Sequence, residues 1–133
     1  MILLDTHTLV WLCEGSHKLG DESVRLIDEA LKASELYIAS ISFWEVAMLI
    51  EKGRIELSMN VTLWRRSLID NGLQEIDLSG NIAIESALLA NFHGDPADRI
   101  IVATAQDKTM SLCTADQKIL SWKSNLHRIN AKN

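Results

Sequence analysis

Met1-Ile2-Leu3-Leu4-Asp5-Thr6 opens the chain with an apolar run that shows no alternation and stops at an acid. Consecutive apolar positions in so short a run read as a strand buried on both faces, the kind found in parallel sheets covered by helices. The pattern returns at Met110-Ser111-Leu112-Cys113-Thr114-Ala115-Asp116. In open α/β sheets ligands bind outside the carboxyl ends of the strands, where the flanking helices begin. Two further acids stand in helix openings, within Ser42-Phe43-Trp44-Glu45 and Asp95-Pro96-Ala97-Asp98. Asp5, Glu45, Asp98 and Asp116 are therefore expected at the rim of one cleft, and carboxylates are the ligands that Mg2+ and Mn2+ prefer.

The rest of the chain alternates in the same way. After the first strand come a short helix over 8–12, a turn at Glu14-Gly15-Ser16, and a helix over 21–33 whose Val24, Leu26, Ile27, Ala30 and Leu31 fall mostly on one face. A strand over 36–39 precedes a helix over 42–52, which Gly53 ends in the manner of a C-terminal cap. A helix from Asn60 or Thr62 to Asn71-Gly72, a strand over 73–76 and a helix over 81–91 follow. Asp95 caps the next helix, with Pro96 in the first position, where proline costs no hydrogen bond. A strand over 110–114, a short helix over 117–121 and a strand over 126–129 complete the chain. Strands alternating with helices imply right-handed crossovers and a parallel sheet covered on both faces. The two strands that end in acids are expected side by side near the sheet centre.

Composition bounds the function. A chain of 133 residues, 47% hydrophobic and with one proline, fits one domain over 1–133, with no linker or repeat to divide it. Its longest apolar stretch, Val46-Ala47-Met48-Leu49-Ile50, is far too short to cross a bilayer. The amino terminus lacks the basic segment of a secretory signal, so a cytoplasmic protein is expected. Cys13 and Cys113 form no paired metal motif and are expected as small buried residues. A net charge of −5 argues against a protein that coats nucleic acid indiscriminately, but it leaves room for a nuclease whose acids hold cations.

Each acid also has a structural reading. Ser42-x-x-Glu45 fits a capping box, Asp98 is favoured by the helix dipole after the Asp95 cap, and Asp5 and Asp116 can cap the helices that follow them. The four together are harder to explain as caps. Carboxylates 4 Å apart repel by about 4 kcal/mol per pair at an effective dielectric near 20, against the ~1 kcal/mol of a cap. Thr6 and Thr114 stand beside the strand-end acids and are placed to orient a carboxylate or a metal-bound water. His7, His17, His93 and His127 show no ligand spacing with one another, which disfavours zinc. Trp11, Trp44, Trp64 and Trp122 lie in apolar helical stretches and read as core or subunit interface.

These motifs together resemble PIN domains, and within them the ribonuclease toxins of VapC-type toxin-antitoxin pairs. The resemblance rests on Leu3-Leu4-Asp5-Thr6-His7, Ser42-Phe43-Trp44-Glu45-Val46-Ala47 and Lys52-Gly53-Arg54-Ile55. Most specific is His93-Gly94-Asp95-Pro96-Ala97-Asp98-Arg99-Ile100-Ile101-Val102-Ala103-Thr104-Ala105, with Thr114-Ala115-Asp116 following. Ala97 departs from the pattern, since an aromatic residue is frequent there. The resemblance implies a three-layer α/β/α fold with a central parallel sheet of four to five strands. It also implies endonucleolytic RNA cleavage with Mg2+ or Mn2+, one or two ions per subunit. A homodimer and inhibition by a cognate antitoxin over the cleft are implied as well. Asp5 and Asp98 are then the principal ligands, completed by Glu45 and Asp116, while Arg99 and the Lys52-Gly53-Arg54 turn are candidate contacts to RNA phosphate.

A phosphoacceptor receiver domain, which holds Mg2+ in an acidic cleft of a parallel α/β fold, is the main rival. Asp77 after a strand and Thr114 at the end of another suit it. Against it, the first strand ends in one acid where a receiver needs an adjacent pair, and the last strand, Leu126-His127-Arg128-Ile129, lacks a terminal lysine. A haloacid-dehalogenase-type phosphatase fits less well, because Asp5-Thr6-His7 has no second aspartate two positions on.

Overall fold

The computed structural model describes residues 1–133. Five short strands form one parallel sheet: β1 (Ile2–Leu4), β2 (Leu36–Ala39), β3 (Gln74–Ile76), β4 (Ser111–Thr114) and β5 (Arg128–Asn130), in the order β3-β2-β1-β4-β5. β1 is central, with Leu3 paired to Tyr37 on one side and to Leu112 on the other. This order differs from the 2-1-3-4-5 order of receiver domains, which sets that rival aside on topology. Seven helices surround the sheet: α1 (Thr6–Glu14), α2 (Asp21–Lys32), α3 (Ser40–Glu51), α4 (Val61–Asp70), α5 (Gly80–Ala87), α6 (Pro96–Lys108) and α7 (Gln117–Leu120).

The strict pleat of β1 creates two cores. Ile2 and Leu4 point to one face and pack with Leu9 and Val10 of α1, Ile27 and Ala30 of α2, Val46 of α3 and Trp64 of α4. Leu3 points to the other and packs with Ile101, Val102 and Ala105 of α6 and Ile119 of α7. The result is the expected three-layer sandwich, in which every strand of the central pair is sealed on both sides. Cys113 is buried as expected, whereas Cys13 is exposed, because burial along α1 stops at Val10. Among the tryptophans only Trp64 is core; Trp44 stays 55% exposed.

Helix boundaries differ from expectation where tertiary contacts intervene. α1 begins at Thr6, directly on the Asp5 cap, rather than at 8. α3 begins at Ser40, because the Ser40 hydroxyl bonds to Glu75 Oε2 (2.7 Å) and to the Ile76 carbonyl (3.2 Å) at the end of β3. Ser42 is therefore inside the helix, and the capping box with Glu45 does not exist. α5 stops at Ala87, four residues short of the expected 91, because Arg99 takes the carbonyls that a longer helix would use. Its guanidinium donates to Ser86 O (2.8 Å), Phe92 O (2.9 Å), His93 O (3.0 Å), Ala87 O (3.3 Å) and Leu89 O (3.1 Å).

Those five bonds occupy all five N–H groups of the arginine. Arg99→Lys is expected to lose most of them and to destabilise the fold by about 2 kcal/mol, since it strands several carbonyls. A urea titration checks this; an unchanged midpoint would show the 86–93 segment to be held by other means.

The carboxyl-terminal segment closes the fold. The Asn133 carbonyl accepts from the first turn of α2, at Glu22 N (2.9 Å) and Ser23 N (3.3 Å). Gly20 is required there, because a Cβ would run into the Asn133 backbone.

Candidate metal centre

Four separate segments bring their acids to one place. Asp5 and Asp116 leave the ends of the adjacent strands β1 and β4, Glu45 projects from the second turn of α3, and Asp98 from the first turn of α6. All four line a cavity of about 360 Å³, together with His7, Trp11, Asp95, Ala115 and Lys132. The expected convergence is therefore present.

Each carboxylate is fixed by neighbours. Asp5 is buried; its Oδ1 accepts from Thr6 N (2.8 Å) and its Oδ2 from the Thr114 hydroxyl (2.6 Å). The Thr6 hydroxyl donates to Glu45 Oε1 (2.5 Å) and is hydrogen-bonded to Ser42 Oγ (2.9 Å). Thr6 and Thr114 thus orient two of the acids. Asp98 Oδ2 is 2.7 Å from His93 Nε2, and Asp116 Oδ1 accepts from Lys118 N (2.8 Å) as the cap of α7. Glu45 Oε2, Asp98 Oδ1 and Asp116 Oδ2 take no hydrogen bond from the protein and remain open.

The electrostatics are those of an uncompensated cluster. Burial raises the pKa of Asp5, against the lowering effect of the Thr114 and Thr6 donors. Burial likewise raises Glu45 and Asp98; the Asp5 carboxylate adds to both, and Asp98 adds to Glu45. A cation in the cavity relieves all three at once.

The structure also adds residues that sequence reasoning missed. Ligand atoms of His93, Asp98 and Asp116 lie within 4.8 Å of one another. His93 escaped notice because only histidine-to-histidine spacing was weighed; its place five residues before Asp98 in the α6 approach was the available signal. Lys132 reaches the cavity through the packed carboxyl-terminal segment, which no local pattern announces. Asp95 lines the cavity and is at the same time the α6 cap, its Oδ1 accepting from Asp98 N (3.0 Å).

Two expected phosphate contacts lie elsewhere. Arg99 has every N–H bonded to a backbone carbonyl, so a phosphate has no free donor there. Lys52 and Arg54 are exposed at the far end of α3, about 10 Å along the axis from Glu45, and line no part of the cavity wall.

A family model described as PIN domain matches residues 2–122. The chain belongs to the PIN-domain family. Ribonuclease VapC22 of Mycobacterium tuberculosis is 34% identical over 123 residues, covering 92% of each chain, which places this PIN domain among the VapC proteins. Solved structures share the fold over 98% of both chains. One is VapBC2 from Rickettsia felis bound to a DNA fragment from its promoter (TM-score 0.72, 20% identity). Another is a toxin-antitoxin complex from Klebsiella pneumoniae (TM-score 0.65, 24% identity). The α/β/α sandwich with its parallel sheet is thus the PIN architecture, and the acidic cavity sits at the carboxyl end of its two central strands.

Proposed function

We propose that this PIN domain is a metal-dependent endoribonuclease, the toxin of a type II toxin-antitoxin pair. The observation that carries the reading is the convergence of Asp5, Glu45, Asp98 and Asp116 from four segments on one cavity, three of them with pKa values raised by burial. The likeness to a ribonuclease over nearly the whole chain supports RNA as the substrate.

The donor set fits Mg2+ or Mn2+: it is oxygen-rich, and three carboxylates each offer an oxygen free of hydrogen bonds. Asp5 and Asp98 would be the principal ligands, with Glu45 and Asp116 completing the set. When bound, such an ion lowers the pKa of water toward neutrality and offsets negative charge building on a phosphate. The chain's own residues do the positioning. Thr114 and the Thr6 amide lock the Asp5 carboxylate, Thr6 with Ser42 aims Glu45, and His93 holds Asp98. His7 and Lys132 supply the only side-chain cations on the cavity wall and are placed to meet RNA phosphate.

We also propose a cytoplasmic homodimer restrained by a cognate antitoxin. Exposed Trp44 on α3 and Ile84 on α5, both helices packed on α6, support self-association. Co-expression with a small DNA-binding protein from the neighbouring reading frame is expected to give a stable, inactive complex.

Structured RNAs incubated with the purified protein are expected to be cut in Mn2+ and left intact with a chelator. Glu45→Gln should lower cleavage about 100-fold, the loss of roughly 3 kcal/mol of charge stabilisation. Its melting temperature in chelator should stay equal or rise, since no capping box is lost. Intact RNA in Mn2+, across substrates, would overturn the assignment.

A further inference from the structure

Beside the acidic cavity lies a second one of about 470 Å³, lined by Asn91, Phe92, His93, Lys118, Ser121, Trp122 and Lys123. Its character is opposite. It contains two lysines and no acid, in a chain whose net charge is −5. Both lysines are exposed, and neither forms an ion pair.

The two cavities share a wall. His93 is bonded to Asp98 on one side and stacks on Phe92 at 4.3 Å between ring centroids on the other, and Phe92 meets Trp122 edge-on at 5.0 Å. Trp122 is fixed by its indole N–H, which donates to Ala90 O (3.0 Å), and Phe92 by its carbonyl bond to Arg99. Lys118 belongs to α7, whose cap is Asp116 itself. A line of rings therefore leads from a carboxylate of the candidate metal centre to a pair of free cations.

We propose that this second cavity is an RNA subsite, which binds the nucleotide flanking the scissile phosphate. Lys118 and Lys123 take its phosphate, and the Phe92-Trp122 wall takes its base. Single-stranded nucleic acid is commonly held in this way, by a cationic track beside aromatic platforms. The volume is sufficient for a nucleotide-sized ligand. The charge pattern accounts for the separation of tasks: the acidic cavity repels phosphate until it holds a cation, while the basic one attracts the strand without one. The assignment rests on the ribonuclease reading above and adds the direction in which the strand leaves the site.

The test uses the paired variant Lys118→Ala/Lys123→Ala and a single-stranded RNA decamer. In a Glu45→Gln background with Mn2+, fluorescence anisotropy over a range of salt concentrations should show the slope of log K against log salt reduced by about 1.4, the ~0.7 expected for each lost phosphate contact. With Glu45 intact, the pair should raise KM for the decamer about tenfold and leave kcat unchanged. Lys118→Arg/Lys123→Arg should restore both. If the parent chain cuts the RNA and the alanine pair keeps the parent's salt slope and KM, the subsite is refuted while the ribonuclease stands. A fall in kcat at unchanged KM, or weakened antitoxin binding with RNA binding intact, refutes it as well. If the parent chain neither binds nor cuts RNA, both readings fall together.

Discussion

Asp5→Asn is expected to abolish RNA cleavage, by on the order of a thousandfold or more, and to raise the melting temperature of the metal-free protein. Asp5 is the most enclosed of the four acids, with 6% of its surface exposed, and burial raises its pKa although two donors oppose this. The ionised form is therefore held at a cost that a cation must offset. Asparagine removes the charge and keeps the local architecture. It caps helices as well as aspartate, so the bond from Thr6 N survives, and its amide N–H can donate to the Thr114 hydroxyl. A gain of about 1 kcal/mol corresponds to roughly 4 °C for a domain of this size. Lost catalysis has the opposite origin, since an amide oxygen is a poorer ligand than a carboxylate and brings no charge to the cation. Loss of several kcal/mol of transition-state stabilisation gives the stated factor. Melting curves in chelator and cleavage rates in Mn2+, read side by side, decide it. A variant both less stable and inactive would mark Asp5 as a structural cap whose loss disturbs the fold, and a variant that still cuts would remove it from the mechanism.

That Asp5 plays both parts explains why so much of the site was legible in the sequence. Strand-end acids at Asp5 and Asp116 are also helix caps, and caps follow from local pattern; the Asp95 cap fixes where Asp98 begins its helix in the same way. Their supporting hydroxyls, Thr6 and Thr114, are near neighbours in the chain, so the pairing of side chains across β1 and β4 followed once the strands were known to be adjacent. Legibility failed where distant groups decide local structure. Ser42 looked like a cap because Ser40's bond to Glu75 across the sheet is invisible in a window of ten residues. The segment after Ala87 looked helical because the arginine that unwinds it stands a dozen or so residues away. That unwinding delivers His93 to Asp98, which is why His93 was missed as well. Lys52 and Arg54 were misplaced for a simpler reason: they share a helix with Glu45 but stand at its other end.

The same cluster makes the protein's stability a reporter of its cation. Mn2+ at about a hundred times its dissociation constant should stabilise the fold by ~2.7 kcal/mol, which is roughly 10 °C in melting temperature. The size of that effect should depend on pH in a direction fixed by the acids. For Asp5 and Asp98 the ordinary value is 3.8 and for Glu45 it is 4.5, and in the metal-free fold all three are raised. The fold then binds protons more tightly than the unfolded chain, so these groups lose stability as pH climbs from those ordinary values through the raised ones. Glu22 and Glu75 act in the opposite sense, since their pKa values are lowered in the fold, by the Arg25 bond for Glu22 and by bonds to Arg65 and Ser40 that outweigh burial for Glu75. A melting curve at each pH is a sum of both. The difference between curves with Mn2+ and with chelator isolates the cavity, because Glu22 and Glu75 lie outside it and cancel. That difference should be small near pH 4, where protons compete for the carboxylates, and should grow as pH rises above the raised values of the three acids. In Glu45→Gln the growth should be shallower, one titrating ligand having been removed. A difference that stays flat across this range, or shrinks as pH rises, would mean that Mn2+ binds somewhere other than among Asp5, Glu45, Asp98 and Asp116.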